Sequence, residues 1–310
     1  MTNILIIKHG SLGDLIQANG AIEDIKKSNP RSNVVLLTSN QYIDFMIKCP
    51  HVDEVIADKR LPRWNLFYLY ILKKKLASYN FTKVFDLQNS SRTKFYRKYL
   101  INFAKWSSTE TTLKPGQLKS DFDKEPVLER MKIQLKTSGI KIKNTKKSNL
   151  NWAISNIRHI TKNYINKKYI LIFPFCSPKL LIKKWPYYRI LISMLKAKYS
   201  NKYDIVVAPG PKEIEESKLL NTKIILNKGK ALKINELISL IKDSSFIISN
   251  DTGPAHICSH MNKAGIVLFG GHTSAHKVSI ETEKFKPISV QNLNLLKAET
   301  IMEEIKKILN

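Results

Sequence analysis

Residues 249–256, with the sequence S-N-D-T-G-P-A-H, combine side chains and backbone features that can hold an anion. An apolar run at residues 246–248 precedes them, and residues 255–261 have the pattern of a helix. Gly253 permits a tight turn that brings the backbone close to a ligand. Pro254 suits the first helical position, where its missing N–H costs nothing. Because the first N–H groups of a helix lack partners, the sequence predicts an anion-binding turn at the end of this strand.

A second turn follows the first apolar run of the chain, where residues 8–14 read K-H-G-S-L-G-D. The turn lacks G-x-G-x-x-G and G-K-[ST], so it is neither a dinucleotide fingerprint nor a P-loop, and no cofactor is expected. Gly10 and Gly13 would bring the backbone close to a cleft. Asp14 is either a first-turn acid favoured by the helix dipole or a carboxylate that takes a proton from a substrate hydroxyl. The residues alone leave both interpretations open.

A third polar segment begins after the apolar run at residues 169–173, with the sequence P-F-C-S followed by K-K-W-P at residues 183–186. Ser177 and Lys184 are suited to bind a diphosphate. In so lysine-rich a chain, the alternative is an ordinary basic loop. The position of the segment, before the first long helix of the second half, favours binding.

Two further patterns raise the question of a metal ion. Four histidines form two pairs with helical spacing, His256 with His260 and His272 with His276. No acidic residue completes an H-E-x-x-H motif. The D-x-D string at residues 121–123 follows no apolar strand, so we interpret it as a solvated loop. The sequence therefore predicts no metal site.

Short apolar runs alternate with helical patterns along the whole chain. Strands are predicted at residues 4–7, 34–38, 55–56, 84–87, 169–173, 205–208, 223–226, 246–249 and 265–269. Helices are predicted at residues 14–28, 41–48, 64–78, 126–138, 187–199, 212–220, 235–242, 255–261 and 298–309, and residues 105–125 are polar and irregular. This order predicts an α/β fold with two doubly wound parallel sheets facing a central cleft.

The length of 310 residues suffices for two such domains, which we place at residues 1–160 and 165–310. The last helix belongs to the second domain or packs back on the first. The three cysteines lack C-x-x-C spacing and fit reduced thiols of a cytoplasmic protein. No secretory signal and no run of about 18–20 apolar residues is present.

The formal net charge of +27 indicates either an anionic partner or the lysine, isoleucine and asparagine bias of AT-rich coding. No nucleic-acid-binding module is recognisable, so nucleic acid is not an expected partner. Residues 64–72, W-N-L-F-Y-L-Y-I-L, are followed by three lysines. They predict either a segment resting on an anionic membrane surface or a helix packed into its own domain with a solvated lysine end.

Taken together, these motifs resemble glycosyltransferase family 9, the lipopolysaccharide heptosyltransferases, over almost the whole chain. The resemblance is carried by residues 4–14 with S-L-G-D, by D-L-Q at residues 86–88 with Arg92, by K-W-P at residues 184–186, and by residues 249–256 followed by Phe269 and Gly270. The D-T-G-P-A-H segment is the most specific of these motifs, and S-x-G-D is the next.

The resemblance implies a GT-B fold of two Rossmann-like domains and an inverting, metal-independent transfer from a nucleotide sugar. The usual donor is ADP-heptose, and the acceptor is a lipid-linked glycan such as the lipopolysaccharide core, at the cytoplasmic face of the inner membrane. It implies that Asp14 is the general base. The implied substrate-binding residues are Ser11, Gly13, Gln88 and Arg92 on the acceptor side and Ser177, Lys184, Asp251, Thr252, Gly253 and His256 around the nucleotide sugar.

The chain departs from the family pattern at two places where donor binding is expected. Phe175 follows Pro174 where relatives often have glycine, and Gly271-His272 follows Phe269-Gly270 where proline is common. The donor sugar and nucleotide therefore stay open. Three alternatives remain: a nucleotide-sugar epimerase on the same fold, a non-catalytic anion-binding protein, and a transferase whose donor site has decayed.

Overall fold

Two separate parallel β-sheets organise the chain, and a computed structural model describes residues 2–309 of it. The chain divides into two units between Trp152 and Ala153. Each unit surrounds its sheet with helices, which confirms the predicted α/β class of two doubly wound domains. Three short 3-10 helices lie at Asn40–Tyr42, Leu181–Lys183 and Leu293–Leu295, and a fourth at Asn151–Ala153 spans the division.

The first unit has a five-stranded sheet in the order β3-β2-β1-β4-β5. Its strands are β1 (Asn3–Ile7), β2 (Asn33–Ser39), β3 (Glu54–Asp58), β4 (Phe81–Asp86) and β5 (Lys105–Ser107). Its helices are α1 (Leu12–Ser28), α2 (Ile43–Met46), α3 (Leu66–Ala77), α4 (Ser91–Tyr99), α5 (Thr109–Thr112), α6 (Lys119–Phe122) and α7 (Val127–Thr137). The central strands β1 and β2 are continuous apolar runs because helices cover both of their faces.

The second unit has a six-stranded sheet in the order β11-β10-β9-β6-β7-β8. Its strands are β6 (Lys168–Phe173), β7 (Tyr203–Val207), β8 (Lys223–Ile224), β9 (Phe246–Asn250), β10 (Gly265–Phe269) and β11 (Phe285–Ser289). Its helices are α8 (Arg158–Thr161), α9 (Tyr188–Tyr199), α10 (Ile214–Lys218), α11 (Ile234–Asp243), α12 (Gly253–His260) and α13 (Ala298–Leu309). The terminal helix α13 packs on α9 and joins the core of this unit through Ile301, Met302 and Ile305.

The strand order creates one topological switch point in each sheet. In the first unit the chain runs from β1 outward to β2 and β3 and then returns to β4, on the other side of β1. In the second unit it runs from β6 outward to β7 and β8 and then returns to β9, on the other side of β6. Ligands of such folds bind outside the carboxyl ends of the two strands at the switch point. The segments that follow these four strands hold every site residue predicted from the sequence.

The sequence pattern did not predict two edge strands and several short helices. The strand β5 has only three residues, and β11 contains Lys286 and Pro287, so neither forms a continuous apolar run. Proline is tolerated in β11 because this strand is paired on one side only. The sequence predicted no helix at α4, whose nine residues are mostly polar and which starts with a capping box between Ser90 and Thr93.

Candidate functional site

The turn between β1 and α1 presents a carboxylate at a helix start. Gly10 has a φ of +74°, a conformation that L-residues with a side chain rarely adopt, and it turns the chain into α1. Ser11 caps the helix, and its N–H and Oγ both donate to Asp14 Oδ2 at 2.9 Å. Gly13 lies in the buried first turn of α1. The turn thus brings together Ser11, Gly13 and Asp14, as the sequence predicted.

A buried lysine accompanies that carboxylate. Lys8 Nζ lies 3.9 Å from Asp14 Oδ1 and donates to the carbonyl of Leu87 at 2.9 Å. Burial lowers the pKa of Lys8 from its usual value, while the charges of Asp14 and Asp86 act in the opposite direction. The Asp14 side chain is 45% exposed, whereas that of Lys8 is 5% exposed. The first unit therefore presents an accessible acid next to a cation that stabilises its negative charge.

Gln88, at the end of β4, fixes the shape of this turn. Its Oε1 accepts from the backbone N–H groups of His9 and Gly10 at 3.0 and 3.1 Å. Gln88 is held in turn by Asp86, whose Oδ1 accepts from the N–H of Gln88 at 3.0 Å and of Asn89 at 2.8 Å. Gln88 therefore lies beside the Asp14 turn, where it supports the backbone.

Arg92 faces a different group of residues. Its guanidinium donates to Tyr96 Oη at 3.0 Å and to the carbonyls of Arg60 and Leu61 at 3.2 and 2.8 Å. The Tyr96 hydroxyl donates to Asp58 Oδ2 at 2.7 Å. Arg92 thus ties α4 to the segment after β3.

Asp58 connects this group to His9, the neighbour of Gly10. His9 Nε2 lies 2.7 Å from Asp58 Oδ2, and the Tyr68 hydroxyl donates to Asp58 Oδ1. Burial alone would raise the pKa of Asp58, but the hydrogen bonds from His9, Tyr68 and Tyr96 hold it well below its usual value. A buried, ionised carboxylate, Asp58, therefore anchors the chain at His9, one residue before Gly10.

The turn after β9 has the opposite character, because its acid is buried beside a lysine and two histidines. Asp251 Oδ2 accepts from Lys183 Nζ at 2.5 Å and lies 3.1 Å from His272 Nε2. His256 Nε2 is 4.0 Å from Asp251 Oδ1. Burial opposes ionisation, yet Lys183, His272 and His256 hold the pKa of Asp251 below its usual value.

Thr252 caps the helix α12, which Gly253 and Pro254 begin. The Thr252 hydroxyl is buried and has no hydrogen-bond partner within residues 2–309. A buried hydroxyl with unused bonding capacity at a helix N-terminus can accept or donate one further bond to a ligand. The predicted residues Asp251, Thr252, Gly253 and His256 are therefore together at one strand end.

Asn250 attaches the segment that follows β6 to this strand end. Its Nδ2 donates to the carbonyl of Pro174 at 2.8 Å, and its Oδ1 accepts from the Tyr188 hydroxyl at 3.0 Å and the Trp185 N–H at 3.4 Å. Sequence reasoning passed over Asn250, although it lies between Ser249 and Asp251 in the most informative motif.

Lys184 and Ser177 lie on that segment. Lys184 pairs with Glu216, and its Nζ lies 5.9 Å from the centre of the Phe175 ring, within the range of a cation–π contact. Ser177 is exposed and accepts from the Lys179 N–H at 3.4 Å. The neighbouring Lys183 contacts Asp251.

Comparison with known proteins identifies the family of the chain. The sequence profile of glycosyltransferase family 9 (heptosyltransferase) matches residues 69–307, well over half of the chain. The chain belongs to glycosyltransferase family 9. The family assignment confirms the resemblance found in the sequence and makes the protein a glycosyltransferase. The matched range begins after the turn of Asp14, so the case for this turn as part of a site rests on its geometry.

Solved structures extend the likeness to the entire chain. The structure of E. coli heptosyltransferase WaaC with ADP aligns with a TM-score of 0.73, 17% identity and 99% coverage of both chains. E. coli ADP-heptose lps heptosyltransferase II aligns with a TM-score of 0.74 and 15% identity, covering 100% of this chain and 98% of that one. These alignments confirm the GT-B fold. A putative glycosyltransferase of Haemophilus influenzae is 22% identical over 93% of this chain and 87% of its own length.

This family 9 chain contains two site residues, Lys183 and His272, that sequence reasoning missed. Lys183 was hidden by its neighbour Lys184, because a sequence does not say which of two adjacent lysines points inward. His272 belongs to the Gly271-His272 departure from the family pattern, and Phe175, the other departure, lies beside Lys184. Both departures thus contact residues of the predicted donor site.

Of the residues considered for metal binding, the two aspartates pair with cations. Within residues 2–309, no group of three or more His, Cys, Asp or Glu side chains has an arrangement suited to a metal ion. Burial, with a contribution from His256, lowers the pKa of His260 to about 3. Asp121 pairs with Lys124, and Asp123 pairs with Lys119 and Arg130.

The first unit also has a cavity of 240 Å³ beyond the carboxyl ends of β4 and β5. Asp86 and Asn89 line it together with the cationic side chains of Lys94, Arg97 and Lys119. Glu110 pairs with Lys94 at 2.7 Å and lies 3.6 Å from Arg97. The cavity presents more positive than negative groups, a feature that sequence reasoning did not anticipate.

Proposed function

We propose that this family 9 glycosyltransferase moves a sugar, heptose from ADP-heptose, to a lipid-linked glycan of the lipopolysaccharide-core type. The transfer is inverting and needs no metal ion or other cofactor. The observation that carries the proposal is the division of chemistry between the two switch points. One presents an accessible carboxylate, Asp14, and the other a cationic helix start with the unused Thr252 hydroxyl.

In the proposed mechanism Asp14 is the general base. Its Oδ2 is oriented by two donors from Ser11, and Lys8 stabilises its charge. The carboxylate takes the proton of the acceptor hydroxyl while the acceptor oxygen forms a bond to the anomeric carbon of the donor. The bond between that carbon and the diphosphate oxygen breaks, and its electron pair leaves with the nucleoside diphosphate. Attack opposite to the leaving group inverts the anomeric centre.

The second unit would hold the departing diphosphate. The N-terminus of α12, the Thr252 hydroxyl and Lys184 offer N–H, O–H and cationic groups to the developing negative charge. Asp251 would keep Lys183, His256 and His272 in place around that helix start. Ser177, exposed on the segment after β6, would add a hydroxyl at the same strand ends.

An ADP-linked donor is supported by the fold relatives. E. coli WaaC was solved with ADP and with ADP-2-deoxy-2-fluoro heptose. For the acceptor, the proposal uses the first unit, where the 240 Å³ cavity and its three cations suit phosphate or carboxylate groups of a glycan. On the same acceptor side, Gln88 would support the Asp14 turn and Arg92 would hold the segment after β3 in place. A lipid-linked acceptor locates the reaction at the cytoplasmic face of the inner membrane.

The test has a binding stage and a turnover stage. Thermal unfolding is measured with ADP-, UDP-, GDP- and CMP-sugars, and we expect stabilisation by ADP-sugars alone. Donor at about 100 times its Kd should add about 2.7 kcal/mol. The protein is then incubated with ADP-heptose and a deacylated, water-soluble core oligosaccharide, and mass spectrometry should show one added sugar in the presence of EDTA.

The alternatives give different results in the same assay. Isomerised donor in the absence of acceptor would indicate an epimerase. Stabilisation by another nucleotide sugar, followed by transfer, would replace ADP-heptose as the donor. A protein that no nucleotide sugar stabilises would refute the proposal.

A further inference from the structure

The helix α3 buries one apolar face and exposes another. Tyr68, Leu69, Leu72 and Leu76 are buried against the first sheet. On the outside, the exposed fractions are 83% for Trp64, 74% for Phe67 and 63% for Tyr70. Leu66 and Ile71 are exposed as well. The core of the unit therefore explains only half of the apolar residues in this segment.

Three of the exposed residues share one side of the helix. Phe67, Tyr70 and Ile71 are spaced by three and four residues and so share one side of the helix. Trp64 and Leu66 extend this surface over the N-terminal end of α3. We call these five residues the α3 apolar surface. Contiguous apolar patches of this kind mark sites that bind a partner or a membrane.

The charges that flank the α3 apolar surface in the sequence are all of one sign. Cations stand on both sides of it: Lys59, Arg60 and Arg63 before it, and Lys73, Lys74 and Lys75 after it. Residues 59–85 contain no Asp or Glu. The preceding acid, Asp58, is buried and bound to His9, Tyr68 and Tyr96. An apolar centre that cations flank along the chain fits an anionic partner.

We infer that the α3 apolar surface docks this protein on an anionic lipid bilayer. Trp, Tyr, Phe and Leu side chains would enter the boundary between head groups and acyl chains, while the six cations would bind anionic head groups. Within residues 2–309, no helix has the length and apolar character to cross a membrane, so the contact would be a peripheral one. The inference uses the proposed function only to supply a reason for docking, namely a lipid-linked acceptor.

A second copy of the chain fits this surface less well than lipid does. Two copies that met through the same face would bring six cations of one against six of the other, with no acid of residues 59–85 to offset them. Like charges placed together in this way oppose association. A bilayer supplies the negative charge that the flanking segments lack.

The inference is tested by vesicle flotation of the full-length protein without donor or acceptor. The vesicles contain phosphatidylcholine alone or phosphatidylcholine with phosphatidylglycerol. We expect binding to the anionic vesicles that weakens as salt is added. The variant Trp64→Ser/Phe67→Ser/Tyr70→Ser should bind at least about tenfold more weakly. The variant Lys73→Gln/Lys74→Gln/Lys75→Gln should lose roughly a hundredfold, since each lysine near the surface contributes about 1 kcal/mol.

Two matched controls change equally exposed residues of the second unit. They are Leu219→Ser/Leu295→Ser and Lys212→Gln/Lys230→Gln/Lys297→Gln. The controls should bind vesicles like the unchanged protein, and all variants should keep its melting temperature. Equal weakening by the controls, or no binding to anionic vesicles, would overturn the inference. So would sedimentation showing a dimer that the triple serine variant dissociates.

Glycosyl transfer separates this inference from the proposed function. Both α3 variants should retain transfer to the water-soluble acceptor and lose transfer to an acceptor embedded in anionic vesicles. If flotation behaves as expected while no transfer is found with either acceptor, the proposed function fails and the docking surface stands. If transfer to the soluble acceptor is found without vesicle binding, the docking surface fails alone.

Discussion

The turn after β1 and the turn after β9 share a plan, strand then turn then helix, but they use their acids in opposite ways. Asp14 is 45% exposed and receives two hydrogen bonds from Ser11, whereas Asp251 is 3% exposed and is surrounded by Lys183, His256 and His272. The comparison teaches that a carboxylate at a switch point can be accessible, as the proposed base is, or buried as a structural anchor. The two turns differ in the exposure of the acid and in the number of basic side chains around it.

The largest effect should come from removing the proposed base. Asp14→Asn keeps an oxygen that can accept from Ser11 but cannot take a proton at neutral pH. We expect kcat to fall by about 10²–10⁴-fold, with little change in donor affinity. Single-turnover transfer and calorimetric donor binding measure the two quantities. Asp44→Asn, another first-turn acid of the same unit, is the control. Transfer retained by Asp14→Asn would remove Asp14 as the base.

Removing the proposed anchor should damage stability instead. Asp251→Ala leaves the partly buried Lys183 without its partner, and we expect a loss of about 3 kcal/mol in the free energy of unfolding, the lower end for a buried pair. Denaturation in urea measures it. Glu215→Ala removes an exposed acid that pairs with Lys218, and it should change stability by less than about 0.5 kcal/mol. A stability unchanged by Asp251→Ala would show that the two acids are not different in kind.

The adjacent lysines offer a finer contrast. Lys183→Met should reduce the free energy of unfolding by about 1.5–3 kcal/mol, because the bond to Asp251 is charged and mostly buried. Lys184→Met should cost less than about 1 kcal/mol, since its pair with Glu216 is at the surface. Donor affinity should fall about tenfold in Lys184→Met. The reverse pattern of stabilities would mean that Lys184 is the partner of Asp251.

The smallest effect concerns pH. The pKa of Asp251 is lowered in the folded protein, so the stability that its charge provides is present above the unfolded value of about 3.9 and is lost as the pH falls through the lower folded value. The free-energy difference between the unchanged protein and Asp251→Asn should therefore shrink, by on the order of 1 kcal/mol, between pH 5 and pH 3. A difference that grows on acidification would contradict the assigned direction.

The fold was predictable where a pattern is local. The sequence shows the apolar runs of the central strands, such as Ile4 to Ile7, and the amphipathic pattern of α13. These patterns are visible because the spacing of apolar residues within each element matches the faces that it buries. The edge strand β11, with Lys286 and Pro287, has no such signal. The strand forms because β10 has a free edge with which it pairs, and this is a tertiary effect.

The candidate site was predictable to the same extent. The turns at residues 8–14 and 249–256 are recognisable in the sequence by glycine, proline and capping residues at fixed offsets. The residues that contact Asp251 are not recognisable in this way, because His272 and Lys183 are 21 and 68 positions from it in the sequence. The family resemblance named Lys184, Gln88 and Arg92 without their contacts. The structure adds that Gln88 supports the Asp14 turn and that Arg92 holds the segment after β3.

The central position of β1 has a consequence for how the chain is made. β1 pairs with β2 on one side and with β4 on the other, where Ile4 is opposite Lys83. During synthesis, about eighty further residues must therefore leave the ribosome before β4 can pair with the second edge of β1. Until then the nascent sheet has an open edge of unpaired N–H and C=O groups, which exposes the chain to aggregation. The first unit should thus fold late and all at once rather than strand by strand.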